Sequence, residues 1–253
     1  MTTIEITTIT PLTHDEAMRL QTEELECTLA SLRVLDDPAW SATTDCPAWD
    51  LRAMYQHVLG ACESGASMRE NIHQLRRARA YRKQQGGPLE AALSAVQVSE
   101  RRDLSPVQIV ERLTAVAPKT ISGRNRTPGF VRNHAKLAVD GPVYETWKLG
   151  YLIDTIYLRD LWMHRVDISH ALSRPLVLSA DHDGRIVADV VAEWARRHGK
   201  HFVLELTGPA GGTYACGSEL PGVEHLSMDA VEFCRTLAGR VPADGLLTTV
   251  VPF

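Results

Sequence analysis

The chain has 253 residues, of which 44% are hydrophobic and 23% are charged, a balance typical of a globular protein with a sizeable buried core. Its formal net charge of -4 does not indicate a surface for nucleic acid or for an anionic membrane, so neither is an expected partner. No apolar run approaches the roughly 20 residues that a membrane-spanning helix needs.

The N-terminal segment and the cysteines favour a cytoplasmic protein. The stretch "MTTIEITTITPLTHDEAM" has neither a basic region nor a continuous apolar region, so it does not resemble a secretory signal. The five cysteines lie far apart and form no Cys-x-x-Cys pair. Such scattered cysteines are typical of reduced thiols, and we therefore expect a cytoplasmic location without a disulfide framework.

Helices are predicted from the start of the chain. Residues 13–35 open with Thr13 and Glu16 at the spacing of a capping box, followed by an apolar stripe at helical spacing. A second helix is expected to begin after Asp50, because its carboxylate can accept hydrogen bonds from the free amides of a first helical turn.

Two further helices follow a mixed segment. Residues 84–104 have no clear periodicity and are expected to form a connector. A helix then starts at Ser105, with Pro106 in the first position and Gln108 closing a capping box. A long helix is predicted over residues 142–172, which would span roughly 45 Å. Four helices with irregular connectors predict a bundle.

The sequence pattern changes near Arg174. Beyond it we predict two helices, over 185–199 and 227–240, and three strands, over 201–206, 213–217 and 246–251. The predicted fold class is therefore α+β, with a four-helix bundle in residues 1–174 and a small α/β domain in residues 175–253.

Polar residues occupy positions of the long helix where a bundle normally buries leucine or isoleucine. The spacing of 4, 3, 4, 3 and 4 that marks a buried seam joins six residues, Ile153, Tyr157, Asp160, His164, Asp167 and Ala171. His57 likewise borders the apolar stripe of the second helix. Buried carboxylates and imidazoles need partners, because an unpaired buried charge costs several kcal/mol.

Three explanations of these buried polar groups remain open from the residues alone. They can form a structural Asp–His pair that joins two helices and binds nothing. They can coordinate a metal, since two imidazoles and one carboxylate are a ligand set of catalytic zinc and of non-haem iron. They can also provide His57 or His164 as a general base without a metal.

Two stretches of the chain resemble a known family. The first, "TTDCPAWDLRAMYQHVLG" (43–60), is similar to the T-x-C-P-x-W…H opening of the DinB-like, mycothiol-dependent maleylpyruvate isomerase family. The second, "RDLWMHRVDISHAL" (159–172), resembles the last bundle helix of that family, in which an acidic residue stands four positions before a histidine. Gly239-Arg240 is similar to the "GR" near the end of the family's C-terminal domain.

The resemblance implies a DinB-like four-helix bundle that binds a divalent metal, usually zinc, through histidine, glutamate and histidine. Transferred to this chain, the metal ligands are His57, Asp160 and His164, with His57 also assigned to catalysis. Asp160 departs from the family pattern, since aspartate is one methylene shorter than glutamate. The resemblance also implies mycothiol as the thiol cosubstrate. None of the five cysteines falls on the proposed ligand seam, so the thiol is expected to come from outside the chain.

Two other residues receive expectations at this stage. Asp167 can bind the cofactor, orient a ligand histidine or pair with an arginine. Arg240 is a candidate catalytic residue that would hold an acidic substrate, as the resemblance implies, although neutralising a helix C-terminus explains it equally well. Arg159 and Arg165, which flank the seam, are expected to be solvated, with local pairing as an alternative for Arg165.

The expected function is that of a metal-dependent, mycothiol-type S-transferase or cis-trans isomerase, with a small electrophile and a low-molecular-weight thiol as its partners. The alternative is a non-catalytic binding or regulatory protein whose helical bundle is stabilised by a metal. Both alternatives use the same buried polar residues, so metal content and thiol-dependent turnover are the observations that separate them.

Overall fold

The computed structural model describes residues 2–140 and 144–253, which fold into two compact units. One unit is Thr13–Arg174, and the other combines the segment up to Leu12 with Pro175–Phe253. The sequence assigned the first twelve residues to the bundle. Residues 2–12 lie in the second unit instead, because their strand β1 (Thr3–Glu5) pairs with residues 213–215 of that unit. The predicted α+β fold class is confirmed.

The larger unit is mainly helical. Its helices, numbered in chain order, are α1 (His14–Arg33), α2 (Leu51–Ala66), α3 (Met68–Gln85), α4 (Leu89–Ser99), α5 (Pro106–Asn125), α6 (Gly129–His134), α7 (Leu149–Tyr151) and α8 (Tyr157–Ala171). Helices α1, α2, α5 and α8 form the predicted four-helix bundle, and their apolar faces share one core. In the described part of the chain, no helix combines the length and apolar character that a membrane span requires.

The predicted starts of three bundle helices are confirmed by their caps. The Thr13 hydroxyl accepts a hydrogen bond of 3.2 Å from the amide three residues later, and the Asp50 carboxylate accepts one of 2.8 Å at the same spacing. At the start of α5, Ser105 and Gln108 form the reciprocal bonds of a capping box, at 3.3 and 2.8 Å. Local sequence therefore determines where these helices begin.

The expected connector over residues 84–104 is wrong, because most of it is helix α4. Together with α3 it forms a helical hairpin that packs against α2. The buried face of α4 packs Ala92 and Val96 against Ala78 of α3, and all three side chains are small or branched. Small residues give a weak helical periodicity in the sequence, and this explains why the helix was missed.

The long helix predicted over 142–172 is also wrong at its start. Residue 142 lies outside the described residues, and an antiparallel pair of strands, β2 (Lys136–Asp140) and β3 (Tyr144–Lys148), precedes helix α7. The side chains of β3 alternate between exposed and half-buried, which is the two-residue period of a strand. Helical structure therefore begins at Leu149.

A π-helical turn, Leu152–Ile156, joins α7 to α8. The amide of Tyr157 bonds to the carbonyl of Leu152, five residues back, and the wider turn places an extra residue in the helix. Gln21 of α1 donates a hydrogen bond of 2.7 Å to the Ile153 carbonyl and accepts one of 2.6 Å from Arg124 of α5. Two bundle helices, α1 and α5, thus stabilise the turn that sets the rotation of α8 about its own axis.

The smaller unit contains a four-stranded sheet and two helices. Its elements after β1 are α9 (Asp183–His198), β4 (Phe202–Thr207), β5 (Gly212–Cys216), β6 (Glu224–Asp229) and α10 (Ala230–Leu237). The strand order is β1-β5-β4-β6, with β4 and β5 antiparallel and each outer strand parallel to its neighbour. Trp194 of α9 packs edge-on against Phe202 and Phe233, with ring centres 4.8 and 5.3 Å apart.

Two predictions for this unit are corrected. Residues 246–251 do not form a strand, since Gly245–Thr248 is a short 3-10 helix. The strand that pairs with the other edge of β4 is β6, which occupies the beginning of the helix predicted over 227–240. Asp229 ends the strand and caps α10, accepting a 2.8 Å hydrogen bond from the Val231 amide. The predicted helix over 185–199 and the first two strands are confirmed.

Helices α2 and α5 approach each other too closely to admit a side chain at Gly123. A Cβ atom there would lie 2.1 Å from the carbonyl oxygen of Gly65. We expect Gly123→Ala to lower the free energy of unfolding by about 1–3 kcal/mol or more, because two backbones must separate. Chemical denaturation measures the loss. Gly129→Ala, where the nearest atom would lie at 3.8 Å, is the control and should unfold like the wild type.

Candidate metal centre

His57 of α2 and Asp160 and His164 of α8 converge inside the bundle. One potential ligand atom from each of the three residues lies within 4.8 Å of the other two. Asp160 and His164 are one helical turn apart and therefore share a face of α8, and His57 reaches them from the neighbouring helix. The structure thus brings together the three residues that the sequence proposed as metal ligands.

The distance between the ligand atoms of His164 and Asp160 fits tetrahedral coordination of a shared ion better than a direct hydrogen bond. Ligand atoms about 2.0–2.1 Å from a tetrahedral zinc lie about 3.3 Å from each other. His164 Nε2 and Asp160 Oδ1 are 3.3 Å apart, which is long for a charge-assisted hydrogen bond. His164 Nε2 is buried and has no hydrogen-bond partner among the described residues. The donor set of two imidazoles and one carboxylate therefore fits a divalent metal.

The second nitrogen of each ring is already engaged. His57 Nδ1 lies 2.8 Å from Oε1 of Gln97, and His164 Nδ1 lies 3.2 Å from Oδ2 of Asp167. Both partners are acceptors, so each Nδ1 carries the proton and leaves Nε2 available as the ligand atom. The two ring centres lie 5.5 Å apart, close to the roughly 5 Å expected for two imidazoles on one zinc ion.

Charge at the site favours a cation. Burial lowers the pKa of the His57 imidazole, despite the opposing charge of Asp160, so this ring is neutral near pH 7. For His164, burial is outweighed by the negative charges and close contacts of the Asp160 and Asp167 carboxylates, which raise its pKa to about 10. Although burial opposes it, the adjacent His164 holds the pKa of the Asp160 carboxyl well below its usual range. The two carboxylates therefore favour positive charge at His164, which a proton or a metal ion can supply.

Of the three roles left open for Asp167, binding a cofactor and orienting a ligand histidine differ in the access they require. Its side chain is 0% exposed and bonds to His164, whereas the Asp160 side chain is 28% exposed. Complete burial favours orientation of the His164 ring over direct contact with a cofactor. Asp160 and half-buried His57 are the members of the cluster that solvent or a small molecule can approach.

Buried contacts hold the helices that carry the cluster. The Tyr55 hydroxyl of α2 donates a 3.3 Å hydrogen bond to the His164 carbonyl, and burial raises the pKa of this phenol well above its usual value. Arg165 forms a two-pronged ion pair with Glu24 of α1, at 2.6 and 3.0 Å. The expectation that Arg159 and Arg165 are solvated is wrong: they are only 1% and 2% exposed.

Sequence reasoning missed two neighbours of the cluster in the loop before α2. Trp49 stacks on His57, with ring centres 5.1 Å apart and planes inclined by 30°. Cys46 lies against His164 and Asp167, with one potential ligand atom of each within 4.8 Å of the others. No cysteine was expected near the seam, because helical periodicity says nothing about residues in a loop. The hydrogen bond between His164 and Asp167 accounts for this second grouping without an ion.

Arg240 lies in the smaller unit. It directly follows Gly239, whose φ of 75° ends α10, and its amide bonds to the Arg235 carbonyl at 3.0 Å. The side chain is half-buried. The role of Arg240 in substrate binding therefore continues to rest on the sequence resemblance.

A helical bundle with two histidines and a carboxylate in this geometry is a candidate metal-binding protein. Residues 21–169 match the family described as the mycothiol maleylpyruvate isomerase N-terminal domain. This match covers more than half of the chain. The chain belongs to this family, and the resemblance stated from its sequence is confirmed.

Solved structures agree on the fold. Two crystal structures, one of the mycothiol-dependent maleylpyruvate isomerase and one of a histidine-to-alanine mutant of that enzyme, each align with a TM-score of 0.56 and 16% sequence identity. Each alignment covers 95% of this chain and 93% of the other. At this identity the likeness establishes a common fold. No curated protein matches the sequence at a significant level.

We expect the purified protein to bind about one zinc ion per chain through His57, Asp160 and His164. His57→Ala and His164→Ala should each weaken zinc binding at least about 100-fold, because loss of a ligand costs more than loss of a group that only orients one. Competition with a chromogenic chelator measures the affinity. His134→Ala is the control, since this exposed histidine bonds only to a local carbonyl among the described residues. Unchanged affinity in both cluster variants would show that the ligand assignment is wrong.

Proposed function

We propose that this protein is a metal- and thiol-dependent enzyme acting on a small electrophile, either a cis-trans isomerase or an S-transferase. The convergence of His57, Asp160 and His164 is the observation that carries the proposal. The expected metal is zinc and the expected thiol is mycothiol, which the family name and the titles of the two similar crystal structures support. The five cysteines, none of which forms a disulfide in the described part of the chain, are consistent with the cytoplasmic location included in this proposal.

The ligand set suits a catalytic role. His57, Asp160 and His164 supply three donors, and a site with three protein ligands leaves a position for an exchangeable molecule. A zinc ion held there would lower the pKa of a bound thiol from about 8.5, so that the thiolate forms at neutral pH. The partial exposure of Asp160 leaves an approach for a thiol from outside the chain.

The same geometry limits the alternative in which His57 acts as a general base. Its Nδ1 is engaged with Gln97, so only Nε2 could accept a proton. Nε2 is also the atom assigned to the metal, and one lone pair cannot serve both purposes. Metal content therefore decides between the two roles, and the chemistry of the donor set favours coordination.

The proposed isomerisation needs no net oxidation and no second cofactor. The thiolate sulfur adds to one carbon of an electron-poor cis double bond, and the π electrons move into the conjugated carbonyl. The former double bond can then rotate. Re-formation of the carbonyl expels the thiolate, which restores the double bond in the trans form and regenerates the nucleophile. In an S-transferase, the sulfur instead stays bound to the substrate and a leaving group departs.

We expect the zinc-loaded protein to convert maleylpyruvate, with a requirement for mycothiol, as product chromatography would show. His57→Ala should lower turnover at least about 100-fold, since it removes the group that holds the metal. His134→Ala should retain wild-type turnover. Chlorodinitrobenzene serves as a second electrophile and detects thiol transfer. A protein that binds zinc but consumes neither electrophile in a thiol-dependent way would instead be the non-catalytic binding protein.

Arg240 is proposed to hold a carboxylate of an acidic substrate through its guanidinium group. We expect Arg240→Gln to raise the KM for maleylpyruvate at least about 10-fold, because a charge-assisted contact is lost, while zinc affinity stays unchanged. Steady-state kinetics and the chelator assay give the two values. An unchanged KM would leave Arg240 only its structural contact at the end of α10.

A further inference from the structure

Two buried glutamines connect His57 to a backbone carbonyl of its own helix. Gln97 Oε1 lies 2.8 Å from His57 Nδ1, and Gln97 Nε2 donates a 2.9 Å hydrogen bond to Oε1 of Gln74. Gln74 Nε2 in turn donates a 2.9 Å hydrogen bond to the carbonyl of Gly60. Gln74 is 0% exposed and Gln97 is 2% exposed, so water does not compete for these groups.

The chain of hydrogen bonds has only one possible direction. The Gly60 carbonyl can only accept, so the amide nitrogen of Gln74 must face it and its oxygen must face Gln97. The nitrogen of Gln97 must then face that oxygen, which turns the oxygen of Gln97 towards His57. Reversing any amide would place two donors or two acceptors together in the core.

We infer that Gln74 and Gln97 are positioning residues that hold the proton of His57 on Nδ1 and direct the lone pair of Nε2 towards Asp160 and His164. Neutral histidine can carry its proton on either nitrogen, and only one of these forms can bind a metal through Nε2. The inference rests on the proposed function in assigning Nε2 to a metal. The tautomer itself follows from the hydrogen bonds alone.

Gln74, the glutamine farther from His57, makes a second hydrogen bond. Gln74 Nε2 also lies 2.8 Å from Oε1 of Glu70, and that oxygen accepts a 3.0 Å bond from the guanidinium of Arg101. Arg101 is 4% exposed and is itself bound to Glu63. A partly buried ion-pair network centred on Arg101 therefore fixes the end of the glutamine chain that lies farthest from His57.

Close packing fixes the position of the other glutamine. A Cβ atom on Gly60 would lie 2.7 Å from both Cβ and Cγ of Gln97, a separation that real structures do not show. Gly60 is three residues after His57 on α2, so the two lie on one face of the helix. The missing side chain at Gly60 is what allows Gln97 of α4 to reach the imidazole. The role of the α3–α4 hairpin in this arrangement is to supply both glutamines.

The central test compares Gln97→Met with Gln97→Glu. Methionine has a similar length and no strong acceptor, so we expect loss of the pure Nδ1-protonated form of His57 and about 10–100-fold weaker zinc binding. A glutamate protonated on the oxygen that faces Gln74 keeps both the donor to Gln74 and the acceptor for Nδ1, so the tautomer should persist with a smaller loss of affinity. Nitrogen-15 NMR of the histidine rings in metal-free protein reports the tautomer, and a chelator assay with Zn²⁺ reports the affinity.

Gln85→Met is the matched control, since it makes the same substitution at an exposed position of the same hairpin. It should change neither the tautomer nor the zinc affinity. Circular dichroism establishes that each variant is folded. If Gln97→Met does not fold, Gln74→Met tests the same chain one step farther from the ring, with a smaller effect in the same direction.

The outcomes separate this inference from the proposed function. A folded Gln97→Met or Gln74→Met protein with an unchanged His57 tautomer would overturn the inference, whatever the enzyme does. If the tautomer changes and zinc affinity falls as expected, the inference is supported. If the tautomer changes but the wild type binds no zinc, the glutamines position His57 as inferred and the proposed metal-dependent function fails.

Discussion

The structure depends on one constraint: two imidazoles and a carboxylate must lie close together inside a helical bundle. A polar group without a partner is costly in such a core, and the burial that makes the site also excludes the water that would satisfy these groups. One nitrogen of each imidazole therefore has a defined hydrogen-bond partner. His57 bonds to Gln97 and His164 to Asp167, and the two remaining ring nitrogens are left for a common ion.

This constraint explains features that do not touch the cluster. Helix α8 carries two of the three groups, so its rotation about its own axis decides whether they meet His57. The π-helical turn before α8 sets this rotation, and Gln21 stabilises the turn from α1. The ion pair between Glu24 and Arg165 also joins α1 to α8. Buried polar contacts, rather than apolar packing alone, specify the alignment of the helices.

The presence of aspartate at position 160 is compatible with the geometry. Because Asp160 and His164 are one turn apart on the same helix, the short side chain already places its oxygen 3.3 Å from His164 Nε2. The additional methylene of a glutamate, the residue usual in the resembled family, is not needed to reach that position.

The sequence by itself determined the α+β class, the caps of α1, α2 and α5, and the identity of the three clustered residues. These features depend on local chemistry and on helical spacing, both of which a single chain displays directly. Only the tertiary structure decided that α2 faces α8, that α3 and α4 form a hairpin, and that Gln97, Trp49 and Cys46 surround the histidines. Gln97 is forty residues from His57 and lies in a segment with weak periodicity, so no local pattern relates the two. The pairing follows instead from the close approach of α4 to Gly60, which is a property of packing and not of spacing along the chain.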